Sequence, residues 1–209
     1  MTVMNNVLKG LYLVTPDWDD TDKMLDATEA GLLGGAALVQ YRHKTASPEL
    51  RREQASALQM LCHKYAVPFI VNDFLDLFLE LDADGIHVGG TDMAVAEVRT
   101  AIGPSKILGA SCYGSLQMAR DAAQAGASYV AFGGFYPSRV KKYEVSTPAE
   151  IVAQAKREIP IPNCVIGGMT QENSVPLIAQ GAHMVAAISS VYMTDDPEAS
   201  ARAFVALFK

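Results

Sequence analysis

No stretch of the 209 residues approaches the roughly 20 consecutive apolar positions needed to cross a bilayer, so a membrane-spanning helix is not expected. The opening Met1 to Asn6 is polar and shows no signal-peptide pattern, and a cytoplasmic protein is expected. The three cysteines, Cys62, Cys112 and Cys164, are scattered and odd in number, without the CxxC spacing of a metal or redox site. They read as reduced thiols, and Cys112 reads as a small packing residue although it adjoins Ser111. Histidine is equally sparse. His43, His63 and His183 have no metal-ligand spacing, and His87, inside an apolar run, reads as a satisfied interior residue. Excess positive charge is also missing. The net charge of −6 argues against a nucleic-acid binder, but leaves room for a local cationic cluster facing a small anion. There is no low-complexity segment, charge run or linker, and residues 1–209 are expected to form one domain.

What is present is an alternation. Strand-like runs at 10–14, 37–41, 69–72, 85–88, 107–111, 129–132, 164–167 and 184–188 are separated by amphipathic segments at 21–33, 48–65, 74–81, 92–102, 115–125, 148–158, 171–180 and 196–208. Such a series of β–α pairs predicts an α/β fold, a (β/α)8 TIM barrel with short loops. A repeated Gly-Ala at Gly35-Ala36, Gly126-Ala127 and Gly181-Ala182 marks helix-to-strand junctions, with a looser version at Ala83-Asp84-Gly85. Glycine there is expected to end the helix in a left-handed conformation.

The site of such a barrel lies at the C-terminal ends of its strands. The second strand ends in Gln40-Tyr41-Arg42-His43-Lys44. Residues two apart share a face, so Gln40, Arg42 and Lys44 converge as one amide and two cations, a pattern suited to an anion. Asn72-Asp73 follows the third strand and Asp92 the fourth. Two carboxylates on neighbouring strand ends suit magnesium, which keeps open positions for phosphate oxygens. Taken singly, each aspartate reads better as a helix N-cap, and it is the company of Arg42 and Lys44 that favours the metal-ligand reading. The sixth strand runs into Gly133-Gly134-Phe135-Tyr136-Pro137-Ser138-Arg139-Val140-Lys141-Lys142, whose backbone N–H groups, hydroxyl and lysine suit an anion, or a solvated basic loop. Gly167-Gly168 and Ser189-Ser190 close the last two strands, the usual phosphate position of this fold.

Taken in order, Tyr12-Leu13-Val14-Thr15, Gln40-x-Arg42-x-Lys44, Val71-Asn72-Asp73, Gly85-Ile86-His87-Val88-Gly89, Asp92, Gly109-Ala110-Ser111, Tyr136-Pro137-Ser138-x-x-Lys141, Ile166-Gly167-Gly168-Met169 and Ile188-Ser189 resemble the thiamine phosphate synthase family, also called thiamin-phosphate pyrophosphorylase. The match spans nearly the whole chain, and the ordered set is specific where each motif alone is generic. The resemblance implies a transferase that condenses a hydroxymethylpyrimidine diphosphate with a thiazole phosphate, giving thiamine phosphate and pyrophosphate with Mg2+ as cofactor. It implies that Arg42, Lys44, Ser111 and Lys141 are catalytic. Gln40, Tyr41, Arg42, His43, Lys44, Asn72, Ser111 and Lys141 would bind the pyrimidine diphosphate. Ser138, Arg139, Val140, Gly167, Gly168, Ile188 and Ser189 would bind the thiazole phosphate, and Asp73 and Asp92 the metal.

The partners so implied are small phosphorylated substrates. Homo-oligomerisation is left open. Two departures stand out. Ser138-Arg139-Val140-Lys141 replaces the family's usual Thr-x-Thr-Lys, removing one hydroxyl at Val140, and Gly134 replaces a usual proline. A thiazole tautomerase on the same barrel is the alternative enzyme. Those relatives use a histidine after the fifth strand, where this chain has Ser111-Cys112-Tyr113-Gly114. A catalytically silent phosphate-binding barrel is the alternative outside enzymology.

Overall fold

The computed structural model describes residues 8–89, 93–137 and 147–209. Asp92, Ser138, Arg139, Val140 and Lys141 therefore lie outside the described residues. The strands are β1 (Gly10–Val14), β2 (Leu38–Tyr41), β3 (Phe69–Asn72), β4 (Gly85–Val88), β5 (Ile107–Tyr113), β6 (Tyr129–Gly133), β7 (Asn163–Ile166) and β8 (Met184–Ala187). They pair in sequence order, and β8 returns to β1 to close the barrel. Every pairing is parallel, and the closing one sets Tyr12 against Ala186. Around the barrel run α1 (Thr21–Leu33), α2 (Pro48–Lys64), α3 (Leu75–Leu81), α4 (Val95–Ile102), α5 (Leu116–Gln124), α6 (Glu150–Glu158), α7 (Gln171–Gln180), the single turn α8 (Ser189–Tyr192) and α9 (Pro197–Ala206). The (β/α)8 barrel expected from the alternating pattern is the observed fold.

Strand alternation splits the apolar residues into two cores. One lies between strands and helices and holds Leu11, Leu13, Val39, Tyr41, Phe69, Val71, Ile86 and Val130. The other fills the barrel with Leu8, Tyr12, Leu38, Ile70, Ile107, Tyr129 and Met184. The cysteines follow the same division. Cys62 and Cys112 pack in the outer layer, and Cys164 faces the barrel interior. Burial pushes the thiols of Cys62 and Cys112 up to about 12, so both are inert packing groups.

The Gly-Ala repeat is a helix-ending motif. Gly35, Gly126 and Gly181 take positive φ values of 97°, 96° and 110°. The alanine N–H that follows bonds back five residues, as in Ala36 to Gly31 O, Ala127 to Ala122 O and Ala182 to Leu177 O. This six-to-one hydrogen bond satisfies a carbonyl the helix end leaves open. In the looser version it is Asp82, at φ 47°, that takes the left-handed position, and Ala83 N–H bonds to Phe78 O.

Several boundaries shift from the sequence expectation by one to three residues, and three of the shifts bear on the site. β5 runs on to Tyr113 through an irregularity between Ser111 and Tyr113, and Ser111 lines the barrel mouth while Cys112 packs in the outer core. β8 stops at Ala187 because Ile188 opens α8, a turn too short to show a hydrophobic period. α4 starts at Val95 with Ala94 as N-cap, later than the expected 92.

Candidate active site

The barrel mouth at the strand C-termini holds a cavity of about 450 Å³, counting its open end. Its lining is two-sided. Tyr12, Gln40, Arg42, Asn72, His87 and Ser111, from β1 to β5, form a polar arc. Val14, Ala131, Cys164, Ile166, Ala186 and Ile188 form an apolar one, mostly from β6 to β8. An arrangement of this kind suits a flat heterocycle with a polar edge.

Arg42 is held rigidly at the polar arc. Its backbone N–H donates to Thr15 Oγ1 at 2.8 Å, and the Thr15 hydroxyl donates to Arg42 O at 3.1 Å. One guanidinium nitrogen donates to both Asp17 oxygens, at 3.2 and 3.1 Å. The Nε of this buried side chain has no hydrogen-bond partner among the described residues. A buried N–H left unsatisfied is costly, and an anion in the cavity would relieve it with a charge-assisted bond. Asp17 also accepts from the Lys44 backbone N–H at 3.1 Å, so one carboxylate orients both cationic positions. Neither Thr15 nor Asp17 was singled out as a site residue from the sequence. Each lies in the loop after β1, and contacts to Arg42 across 27 and 25 positions leave no periodic trace.

Asp73 has an unusual backbone conformation. Its φ is 63°, a left-handed conformation uncommon outside glycine. The N-cap reading fails here, because α3 is preceded by Phe74, which makes no side-chain cap. Asp73 Oδ1 instead accepts from Gly89 N–H at 3.2 Å. Its Oδ2 accepts from Asn72 Nδ2 at 2.6 Å and faces Lys44 Nζ at 3.0 Å. The loops after β2, β3 and β4 thus meet at one carboxylate. Its hard oxygen donors, together with Asn72, fit a divalent cation such as magnesium. Among the described residues no three His, Cys, Asp or Glu cluster as a ready-made metal site.

His87 stands in the interior. Its Nδ1 lies 2.9 Å from Tyr129 Oη, and its Nε2 lies 2.9 Å from Ser111 Oγ. Tyr129 continues to Tyr12 at 2.7 Å, and Tyr12 accepts from Gln40 Nε2 at 2.7 Å. Burial raises the pKa of both phenols. Both therefore stay protonated at neutral pH. Neither tyrosine was picked out as a site residue. The available signal was an inward strand position, where a buried phenol requires a partner.

Two sequence assignments need correction. Tyr41 and His43 alternate away from the cavity, as residues one step off Gln40 and Arg42 must. Tyr41 Oη donates to Gln54 Oε1 at 3.0 Å, and His43 Nδ1 lies 3.1 Å from the same oxygen on α2. Their side chains tie β2 to α2 and do not line the cavity.

On the opposite side, Gly167 and Gly168 take positive φ of 106° and 66°. A Cβ on Gly168 would stand 2.3 Å from Pro137 O, so the turn after β7 lies directly against the loop after β6. Tyr136 Oη donates to Asn173 O at 3.3 Å, and Asn173 Nδ2 donates to Gly168 O at 2.9 Å, bracing the two loops. Ile188 lines the cavity beside them, with Ser189 opening α8. Ser111, Gln40, Arg42, Asn72, Gly167, Gly168 and Ile188 are thus gathered at one mouth.

The chain is similar to known proteins over nearly its whole length. A family model described as thiamine monophosphate synthase matches residues 11–191. The chain is 65% identical over 205 residues to the thiamine-phosphate synthase of Janthinobacterium sp. (strain Marseille), covering 98% of this chain and 99% of that relative. It is 42% identical over 201 residues to that of Nitrosomonas eutropha (strain DSM 101675 / C91 / Nm57), covering 96% and 95%. Among solved structures it is similar to the thiamine phosphate pyrophosphorylase from Pyrococcus furiosus, with a TM-score of 0.83 at 29% identity over 99% of this chain and 97% of that one. A 3-hexulose-6-phosphate synthase shares the barrel alone, with a TM-score of 0.69 at 16% identity. The chain belongs to the thiamine monophosphate synthase family.

Proposed function

We propose that this chain joins 4-amino-2-methyl-5-(diphosphooxymethyl)pyrimidine to 4-methyl-5-(2-phosphooxyethyl)thiazole, or its carboxylated form, releasing pyrophosphate and giving thiamine phosphate. The observation that carries this reading is the Nε of buried Arg42, without a partner among the described residues, inside a polar arc that faces an apolar one. A diphosphate on a flat amino-heterocycle answers both halves of the cavity.

The bond to pyrophosphate breaks ahead of attack, because the amino-substituted pyrimidine stabilises a methylene cation. Arg42 and Lys44 stabilise the negative charge that develops on the leaving group, with Lys141 assigned there from sequence. Asn72 and Ser111 orient the diphosphate, and Gln40 faces the pyrimidine. Asp73, held by Gly89 N–H and Asn72, and Asp92 are the residues assigned to hold Mg2+. That ion, when bound, supplies further electrostatic stabilisation of the departing phosphoryl oxygens.

Val14, Ala131, Cys164, Ile166, Ala186 and Ile188 keep water from the cation. Ser138 to Val140, the Gly167-Gly168 turn and Ile188-Ser189 anchor the thiazole phosphate, so that the thiazole nitrogen attacks as a neighbour. No general base is required. The tautomerase alternative has no comparable support, since Ser111-Cys112-Tyr113-Gly114 supplies no histidine after β5.

No helix among the described residues is long and apolar enough to cross a membrane. With small phosphorylated substrates, this favours a cytoplasmic enzyme. The closed barrel, with α9 packed on α1 and β1, favours one domain over residues 1–209.

The deciding experiment incubates the chain with both substrates, with magnesium and then with chelator. Magnesium-dependent formation of thiamine phosphate and one equivalent of pyrophosphate supports the reading. Thiazole isomerisation without condensation, or no turnover, refutes it.

A further inference from the structure

We propose that Gln40, Tyr12, Tyr129, His87 and Ser111 form one ordered hydrogen-bond relay across the barrel interior, so that the orientation of the Gln40 amide on β2 sets which way the Ser111 hydroxyl on β5 donates. The links measure 2.7, 2.7, 2.9 and 2.9 Å in that order. All are short enough for full hydrogen bonds. Tyr12, Gln40, Tyr129 and His87 are buried, at 2%, 4%, 0% and 7% exposure, so bulk water competes little for these groups.

In the proposed relay His87 is neutral, and with the Gln40 amide nitrogen set toward Tyr12 the proton count gives one direction. An amide nitrogen only donates, so Tyr12 Oη accepts from Gln40 and passes its single proton to Tyr129. Tyr129 then gives its own proton to His87 Nδ1. The neutral imidazole carries its proton on Nε2 and donates to Ser111 Oγ. The serine proton is thereby left to point at a ligand in the cavity.

The same atoms admit one other complete setting. If the Gln40 carbonyl accepts from Tyr12, every link reverses, His87 carries its proton on Nδ1, and Ser111 donates to His87. A mixed setting puts two protons, or none, on one link. Recognition on β2 and donation on β5 are therefore tied together through three residues that serve as positioning groups.

The packing is built for these contacts. Gly109 lies in register with both His87 and Tyr129. A Cβ there would stand 2.2 Å from Tyr129 Cζ, 2.3 Å from its Oη and 2.5 Å from His87 Nδ1. The bare backbone of β5 thus makes room for the phenol and the imidazole together. Tyr129 also stacks on His87 with 27° between the rings, and meets Tyr12 edge-on at 80°.

The inference rests on the reading that Gln40 and Ser111 face the pyrimidine diphosphate. It adds a selectivity rule. The site prefers a ligand that offers a donor to the Gln40 carbonyl and an acceptor to Ser111 at once, as an amino-heteroaromatic phosphoester does.

The test is nitrogen-15 NMR of the ligand-free, histidine-labelled protein, which reports the His87 tautomer without turnover. Wild type is expected to show Nε2 protonated and Nδ1 bare. Gln40→Glu, an acceptor at that position, is expected to reverse the relay and move the proton to Nδ1. Tyr12→Phe, which removes the hydroxyl linked to His87 through Tyr129, is expected to give averaged signals from both tautomers.

In kinetics, Tyr12→Phe should raise KM for the pyrimidine diphosphate about tenfold, with less than about a twofold change for thiazole phosphate. That loss should largely vanish in a Ser111→Ala background, since coupled residues are not additive. Unchanged tautomers in both variants, Nδ1 protonation in wild type, or additive kinetic losses would each overturn the relay. Absence of thiamine phosphate formation by wild type, with the tautomer pattern as expected, would sink the functional reading and leave the relay standing.

Discussion

Replacing Asp73 separates strain, charge and catalysis, because the three act through different features of one residue. Asp73→Asn keeps an acceptor for Gly89 N–H and a side chain that tolerates φ near 63°. It loses the ion pair with Lys44, whose side chain is 49% exposed against 17% for Asp73, and exchanges the oxygen that accepts from Asn72 Nδ2 for an amide nitrogen. A pair this open to water contributes roughly 0.5 kcal/mol. Asp73→Ala loses the pair and the acceptor, the latter at about 1 kcal/mol. It also forces a Cβ-bearing residue without a polar side chain into the left-handed region, at a further cost of about 1 kcal/mol. Asp73→Gly loses the same contacts but relieves the backbone.

Urea unfolding should therefore rank stability Asn, then Gly, then Ala, with Ala about 2–3 kcal/mol below wild type. Turnover should behave differently. All three variants should lose about 100- to 1,000-fold in magnesium-dependent kcat, because each lacks the carboxylate. Asp73→Asn working within a few-fold of wild type, with an unaltered magnesium titration, would refute the metal-ligand role. An activity loss that tracked stability across the series would do the same.

Other substitutions probe the remaining walls of the cavity. Arg42→Ala should raise KM for the pyrimidine diphosphate by about 10- to 100-fold and leave thiazole phosphate nearly unchanged, with Arg42→Lys rescuing only partly, and equal effects on both substrates in initial-rate kinetics would count against the assignment. Gly168→Ala places a Cβ at 2.3 Å from Pro137 O at a φ of 66°, so it should weaken thiazole phosphate binding and lower Tm by about 5 °C, as read by calorimetry. His183 is held below its ordinary pKa, by burial first and then by Lys156 and Lys9, and its Nδ1 accepts from Asn163 N–H at 3.3 Å. The unfolded chain therefore takes up a proton more readily than the folded one, and stability should be full above about pH 6.5 and fall as pH drops below it. His183→Gln should flatten that slope in denaturant titrations between about pH 7 and 5.

The order of strands and helices was legible because each element carries its own local signal. The runs of β2 and β3 are apolar on both faces, as strands buried between barrel interior and helices must be. Ser47, Ser115, Thr170 and Asp196 cap helices through their own side chains, and Gly35, Gly126 and Gly181 end them. Once the barrel is granted, alternation alone sends Gln40 and Arg42 inward, and Gly167 and Ile188 fall at the same mouth. The same rule, applied strictly, would have excluded Tyr41 and His43.

What the chain determines by itself, then, is the series of β–α units, the family pattern, and the strand ends that carry polar residues. Those follow from interactions between residues close in sequence, repeated at fixed periods. Only the closed barrel decides that Asp17 clamps Arg42, that Lys44 after β2 meets Asp73 after β3, and that Tyr12 finds Tyr129 at a separation of 117 positions. Such contacts depend on the register in which β8 returns to β1 and on the space Gly109 leaves open. Neither has a local signature, because each is settled by packing among residues that share no stretch of chain.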